Sequence, residues 1–254
     1  MSGTPARVFD AHFHIIDPRY PLIPNNGYRP PAFTCDDYRQ RIRGLPLAGG
    51  VVVAGSFQGF DQTWLIAALR QLGPTFVGVA QIPHTASDAE ILELNRAGVR
   101  AVRFNLKRGG SEAIEHLDRL ARRVHELAGW HAELYVDSRD LHVLYDALAA
   151  LPAVSIDHLG LSRDGFSTLL KLAEHGVHVK ATGFGRVDFD VRQALKDVFA
   201  ANPEALMFGT DLPSTRAPRP YQDGDRLLVT EALGEAAAAR VLCDNALCFY
   251  GMAA

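Results

Sequence analysis

The sequence predicts an α/β fold, a single-domain (β/α)8 TIM barrel, and three observations predict it. Eight short apolar or β-branched runs recur along the chain, alternating with longer stretches that carry helical start and stop signals. The runs are apolar nearly throughout, as strands covered on both faces of a parallel sheet are. Eight such units in 254 residues match the length of an eightfold barrel. A doubly wound sheet is disfavoured because no Gly-rich phosphate turn follows the first run.

The strands are expected at 7–14, 49–55, 75–81, 98–104, 131–137, 153–158, 177–182 and 205–211. Between them, Ser87-Asp88-Ala89-Glu90 reads as a capping box opening a helix that stops near Gly98. Ser111 is expected to cap a helix with Ile114, Leu117, Leu120, Ala121, Val124, Leu127 and Ala128 on one stripe. Ser138 is expected to cap the next, with Leu141, Leu144, Tyr145 and Leu148 inward. Asp190 is expected to cap the helix of Val191, Ala194, Leu195, Val198 and Phe199. Gly73, Gly176 and Gly234 stand where helices should end. Segment 15–34 is proline-rich and long for a connection after strand one. It reads either as a plain surface loop or as a lid carrying Tyr28 over the site. No change in composition divides the chain, so residues 1–254 read as one domain.

A hydrophobic fraction of 48% with 22% charged residues excludes a disordered or fibrous chain. A net charge of -3 gives no basic field for nucleic acid or acidic membranes. Cys35, Cys243 and Cys248 are too few for a disulfide framework and suit a reducing compartment. No run is long and apolar enough to span a membrane, and MSGTPARVFDAHFHI lacks the apolar stretch of a secretory leader. A cytoplasmic protein with neither nucleic-acid nor membrane partners is expected.

Polar side chains gather at the C-terminal ends of the strands. Strand one ends Asp10-Ala11-His12-Phe13-His14, strand four reaches Arg103 and Asn105, and strand five Tyr135 and Asp137. Strand six closes with Asp157-His158, strand seven with Lys180, Thr182 and then Arg186, and strand eight with Gly209-Thr210-Asp211. In a barrel these ends meet at one mouth. The period-two spacing of His12 and His14 puts both imidazoles on one face, as a shared metal or substrate requires.

The ordered set of Asp10-x-His12-x-His14, GVRAVRFNLKR, IDHLG, FGTDLP and DNALCFYG resembles the amidohydrolase superfamily of the amidohydrolase 2 type. The branch it is most similar to is that of the 2-pyrone-4,6-dicarboxylate lactonase-like proteins, which includes sugar-lactone and sulfomuconolactone hydrolases. The resemblance implies a barrel hydrolase that opens a small anionic lactone with an activated water. It implies Asp211 as general base and His12, His14 and His158 as carbonyl-polarising groups. It further implies Arg103, Arg108 and Arg186 as grips on substrate carboxylates, joined by Tyr135 and Tyr28. Arg103 and Arg108 stand one residue closer together than in the dicarboxylate lactonase, and the strand-one loop is shorter, which leaves the choice of lactone open. The strand-four end VRFN lacks the carboxylated lysine of two-metal members, and strand five ends without a histidine. Either no cofactor is required, or one divalent metal, zinc the favoured ion, sits on His12, His14 and Asp211, with or without His158. A metal-dependent decarboxylase and a non-catalytic ligand-binding barrel are the competing readings.

Overall fold

All eight expected strands form: β1 (Val8–Phe13), β2 (Leu47–Val53), β3 (Phe76–Ala80), β4 (Val99–Asn105), β5 (His131–Tyr135), β6 (Val154–Ile156), β7 (His178–Ala181) and β8 (Leu206–Phe208). The computed structural model describes residues 6–252; residues 1–5 and 253–254 lie outside it. Neighbours pair in parallel in chain order. The barrel closes just beyond β8, where Asp211 N–H donates to His12 O and His14 N–H to Leu212 O, both at 2.7 Å. It is a (β/α)8 TIM barrel.

Eight helices surround it: α1 (Cys35–Arg41), α2 (Thr63–Leu72), α3 (Asp88–Arg96), α4 (Leu117–Ala128), α5 (Leu141–Ala149), α6 (Phe166–Glu174), α7 (Val191–Ala201) and α8 (Asp223–Leu233). Two short helices follow, α9 (Glu235–Ala239) and α10 (Asn245–Phe249). One apolar core lies between barrel and helices and includes Leu65, Ile91, Val124, Leu148 and Leu195. A second fills the barrel interior, where Phe9, Val51, Val77, Ala101 and Met207 pack against Ala246, Leu247 and Tyr250. No helix among the described residues is long and apolar enough to cross a membrane. The three cysteines are free.

The expected caps divide. Ser87 accepts from Glu90 N–H in a full capping box, and Asp190 caps α7. Ser111 does not cap α4; its hydroxyl accepts from Asn105 N–H at 2.7 Å. Ser138 does not cap α5 either, because its hydroxyl donates to Ser162 O and Asp164 O. Ser138 takes partners from the loop after β6, and Ser111 one from the end of β4, in place of their own helices. Strands six and eight stop short of the expected 158 and 211, because His158 (φ 52) and Asp211 (φ 60) take left-handed backbone that a ladder cannot continue.

Candidate active site

The site is assembled by a distortion in β1. Its register shifts between Asp10 and Phe13. Phe9 and Ala11 belong to the interior cluster, while Phe13 lies outside, stacked on Tyr38 at 3.8 Å. Asp10 shares the parity of the histidines yet leaves their face. It accepts from Thr210 N–H and hydroxyl, each at 2.7 Å, and from Tyr38 O–H at 3.0 Å. Burial pushes its pKa up to about 6, against the lowering effect of those three contacts and of the His12 N–H. Asp10 thus ties β1 to the strand-eight turn and to α1.

His12, His14, His158 and Asp211 come together at the mouth. The His12 ring lies 5.0 Å from that of His14 and 4.8 Å from that of His158, centroid to centroid. Asp211 Oδ1 stands 4.0 Å from His14 Nε2 and 3.9 Å from His158 Nε2. Burial lowers His12 to about 3 and puts His14 and His158 well below their usual value, so all three are neutral near pH 7. His14 Nδ1 is 2.7 Å from Val53 O, a group that only accepts, so Nδ1 carries the proton and Nε2 offers a lone pair. His158 Nδ1 meets the Thr182 hydroxyl at 2.7 Å, and that hydroxyl can donate. The buried Nε2 of His12 has no hydrogen-bond partner among the described residues.

Asp211 is buried, and its desolvation raises its pKa although Arg186 opposes the rise. Arg186 grips it with two bonds, Nε to Oδ2 at 2.7 Å and a terminal nitrogen to Oδ1 at 3.2 Å. Both Asp211 and His158 occupy backbone conformations that cost about 1–3 kcal/mol each. Such strain gathers where surrounding structure holds a functional group in place. Close backbone approach does the holding: a Cβ on Gly209 would meet His12 N at 2.6 Å, and one on Gly183 would meet His158 Nδ1 at 2.7 Å.

A pocket opens above, lined by His14, His158, Arg103, Arg108, Tyr135, Arg186 and Arg216. Of the expected grips, Arg103 donates to Asp157 Oδ2 at 2.7 Å and to Ala54 O. Tyr135 packs edge-on to His158 at 5.0 Å. Tyr28 is not a lining residue; its ring lies under Arg216, 4.7 Å from the guanidinium carbon. Sequence reasoning missed Arg216. The only signal was a cation five residues beyond Asp211 in the same loop, and its approach depends on how that loop folds back.

Arg103 also joins a buried charge group with Asp157, Lys180 and Glu133, of which Glu133 is the member the sequence reading did not single out. Lys180 binds Glu133, and Asp157 Oδ1 sits 3.2 Å from His12 Nδ1. Burial would raise Asp157, but His12, Arg103 and Lys180 hold it well below the usual carboxylate range. Segment 15–34 is stitched over the mouth by Ile23 N–H to Phe57 O at 2.8 Å and Asn25 Nδ2 to Arg108 O at 3.0 Å.

Ligand atoms of His12, His158 and Asp211 lie within 4.8 Å of one another, and with the unpartnered His12 Nε2 they suit one divalent ion. Of the expected ligands the group keeps His12 and Asp211, takes in His158, which the sequence allowed as a further one, and leaves out His14.

The chain is 31% identical to a 2-pyrone-4,6-dicarboxylate hydrolase of Comamonas testosteroni, over 89% of this chain and 82% of that protein. It is 27% identical to a 4-sulfomuconolactone hydrolase of Hydrogenophaga intermedia, over 98% and 90%. An apo crystal structure from Agrobacterium tumefaciens shares the fold with a TM-score of 0.84 at 23% identity, covering 99% of this chain and 98% of that one. Residues 9–252 match the Amidohydrolase family, to which this chain therefore belongs, as a hydrolase of its 2-pyrone-4,6-dicarboxylate lactonase-like branch.

Proposed function

We propose that the protein hydrolyses a small lactone carrying an anionic group, with Asp211 as general base. The observation that carries this reading is the meeting of one buried, oriented carboxylate with neutral histidines and guanidinium groups in a single pocket. The two named relatives support it, since both names describe hydrolysis of an anionic lactone.

The separation of about 4 Å between Asp211 Oδ1 and the two histidine nitrogens suits a bridging water. Asp211 takes one proton of that water, and His14 Nε2, a lone pair, accepts from the other and fixes its orientation. The oxygen adds to the lactone carbonyl carbon. With the Thr182 hydroxyl donating to Nδ1, His158 presents Nε2–H to the carbonyl oxygen as charge grows on it. Collapse breaks the ring C–O bond, and the proton held by Asp211 passes to the leaving oxygen. The product is the ring-opened acid. A divalent ion held by His12, His158 and Asp211 would supply a more acidic water.

A panel of carboxylated and sulfonated lactones, followed by proton release at constant pH, tests the reading. At least one should be opened, and if none is, the proposal falls. Carbon dioxide in place of the ring-opened acid would replace it with decarboxylation. Activity after chelation, with metal analysis of the same sample, decides whether an ion takes part.

A further inference from the structure

Outside the pocket, a second group of metal-ligating side chains stands on the same rim of the barrel. His84 lies in the loop after β3, and Glu112 and His116 in the connection after β4. Ligand atoms of the three lie within 4.8 Å of one another, and none of the three lines the pocket. Glu112 is fixed from several sides. Its Oε2 accepts from His84 N–H and meets His84 Nδ1 at 2.9 Å, while its Oε1 accepts from Ala113 N–H at 2.7 Å. Desolvation would raise its carboxyl, but these bonds hold it below the ordinary value, so it is an anion at neutral pH. An ion pair between His84 and Glu112 would account for those two residues alone. His116 is stacked on the His84 ring, with centroids 3.7 Å apart and planes 27° from parallel. Aromatic rings left to themselves prefer offset or edge-on packing. Two imidazoles held together beside one carboxylate are instead the donor set of a transition-metal ion. The neighbouring Arg123, which donates to His84 O at 3.4 Å, is neutralised by Asp88.

We propose that His84, Glu112 and His116 form a peripheral site for one divalent ion of the zinc class, which clasps the loop after β3 to the connection after β4. Each imidazole gives one nitrogen and Glu112 one oxygen, and solvent completes a four-coordinate shell. Ligand atoms around tetrahedral zinc lie about 3.4 Å apart, so these half-buried side chains close by only about an ångström to complete the site. The clasp reaches the pocket wall through short links. The Ser111 hydroxyl donates to Glu112 O at 3.3 Å and accepts from Asn105 N–H, and Asn105 Oδ1 accepts from Arg108 N–H at 3.0 Å. The site depends neither on the lactone reading nor on an ion at His12, His158 and Asp211.

Zinc titrated calorimetrically into the full-length protein, stripped beforehand with a chelator, tests the proposal. The parent should bind one equivalent more than His116→Ala. In the variant that equivalent should weaken by more than about a hundredfold, beyond what loss of an outer partner of a metal ligand costs. The rise in Tm that zinc gives the parent should shrink with it. Because the readout is a difference, an ion in the catalytic pocket counts equally on both sides. His116→Gln reads the same difference if the alanine variant does not fold. His142→Ala removes an exposed imidazole on α5 and should leave the stoichiometry unchanged. Equal numbers of ions bound with equal affinity by the parent and His116→Ala overturn the proposal. Loss of the same equivalent in His142→Ala overturns it too, since the ion would then be bound adventitiously by surface histidines.

Discussion

Asp211 is under two opposed influences: burial raises its pKa, while the Arg186 fork favours its ionised form. A general base needs both, enough proton affinity to take a proton from water and enough stabilisation to be ionised beforehand. Asp211→Asn keeps the shape and removes the base. Its kcat should fall by about a hundred- to ten-thousandfold with KM little changed, measured by proton release on whichever lactone the parent opens. Gly183→Ala tests the packing behind His158. A Cβ there would press on His158 Nδ1 at 2.7 Å and Arg186 Cδ at 2.9 Å, at a backbone φ of +59. Gly176→Ala is its control, with a similarly strained φ of +91 and nothing within 4 Å. Both should lower thermal stability, by about 1–2 kcal/mol each, but only Gly183→Ala should lower kcat. Equal kcat in the two variants would separate Gly183 from the site.

At the scale of single elements, the short turn after β5 shows how a loop is pinned. Asp137 accepts from Lys107 Nζ at 2.8 Å and from Arg139, and caps the turn through Arg139 N–H. Desolvation pushes its carboxyl up, but the bonds from Arg139 and Lys107 hold it well below its ordinary 3.8. A carboxylate depressed in the folded state adds stability that is fully present above its unfolded pKa. That stability is lost as pH falls from the ordinary value toward the folded one. Urea unfolding of the parent and Asp137→Asn should therefore show a gap at pH 7 that narrows below about pH 4. A gap that widens with acid would contradict the assignment. The caps teach a related lesson. Ser87 could be read locally because its partner is three residues away, whereas Ser138 bonds to a chain segment that only the folded barrel brings near, and Ser111 turns back to the end of β4.

For the molecule as a whole, the buried charges below the pocket balance: Lys180 and Arg103 against Glu133 and Asp157, with His12 neutral. Removing one member leaves a buried charge uncompensated, which costs about 3–5 kcal/mol. Lys180→Met should lose that much, and Lys180→Met with Glu133→Gln should recover a large part of it. Equal stability of the single and double variants in urea would show that the pair is not coupled. The same network touches the site, since Asp157 contacts both His12 and Arg103, so the double variant should fold without regaining full activity.

The eight strands, their order, the helix over 88–96 and the convergence of His12, His14, His158 and Asp211 were legible from residue order alone. Buried parallel strands must be apolar throughout, and barrel geometry sends every strand end to one rim. The departure of Asp10, the neutralisation of Arg103 and Arg186, and the approach of the half-buried Arg216 to the pocket were decided only by the tertiary structure. A bulge, an ion pair or a returning loop sets where a charge points and what it faces, and neither spacing nor composition encodes that distance.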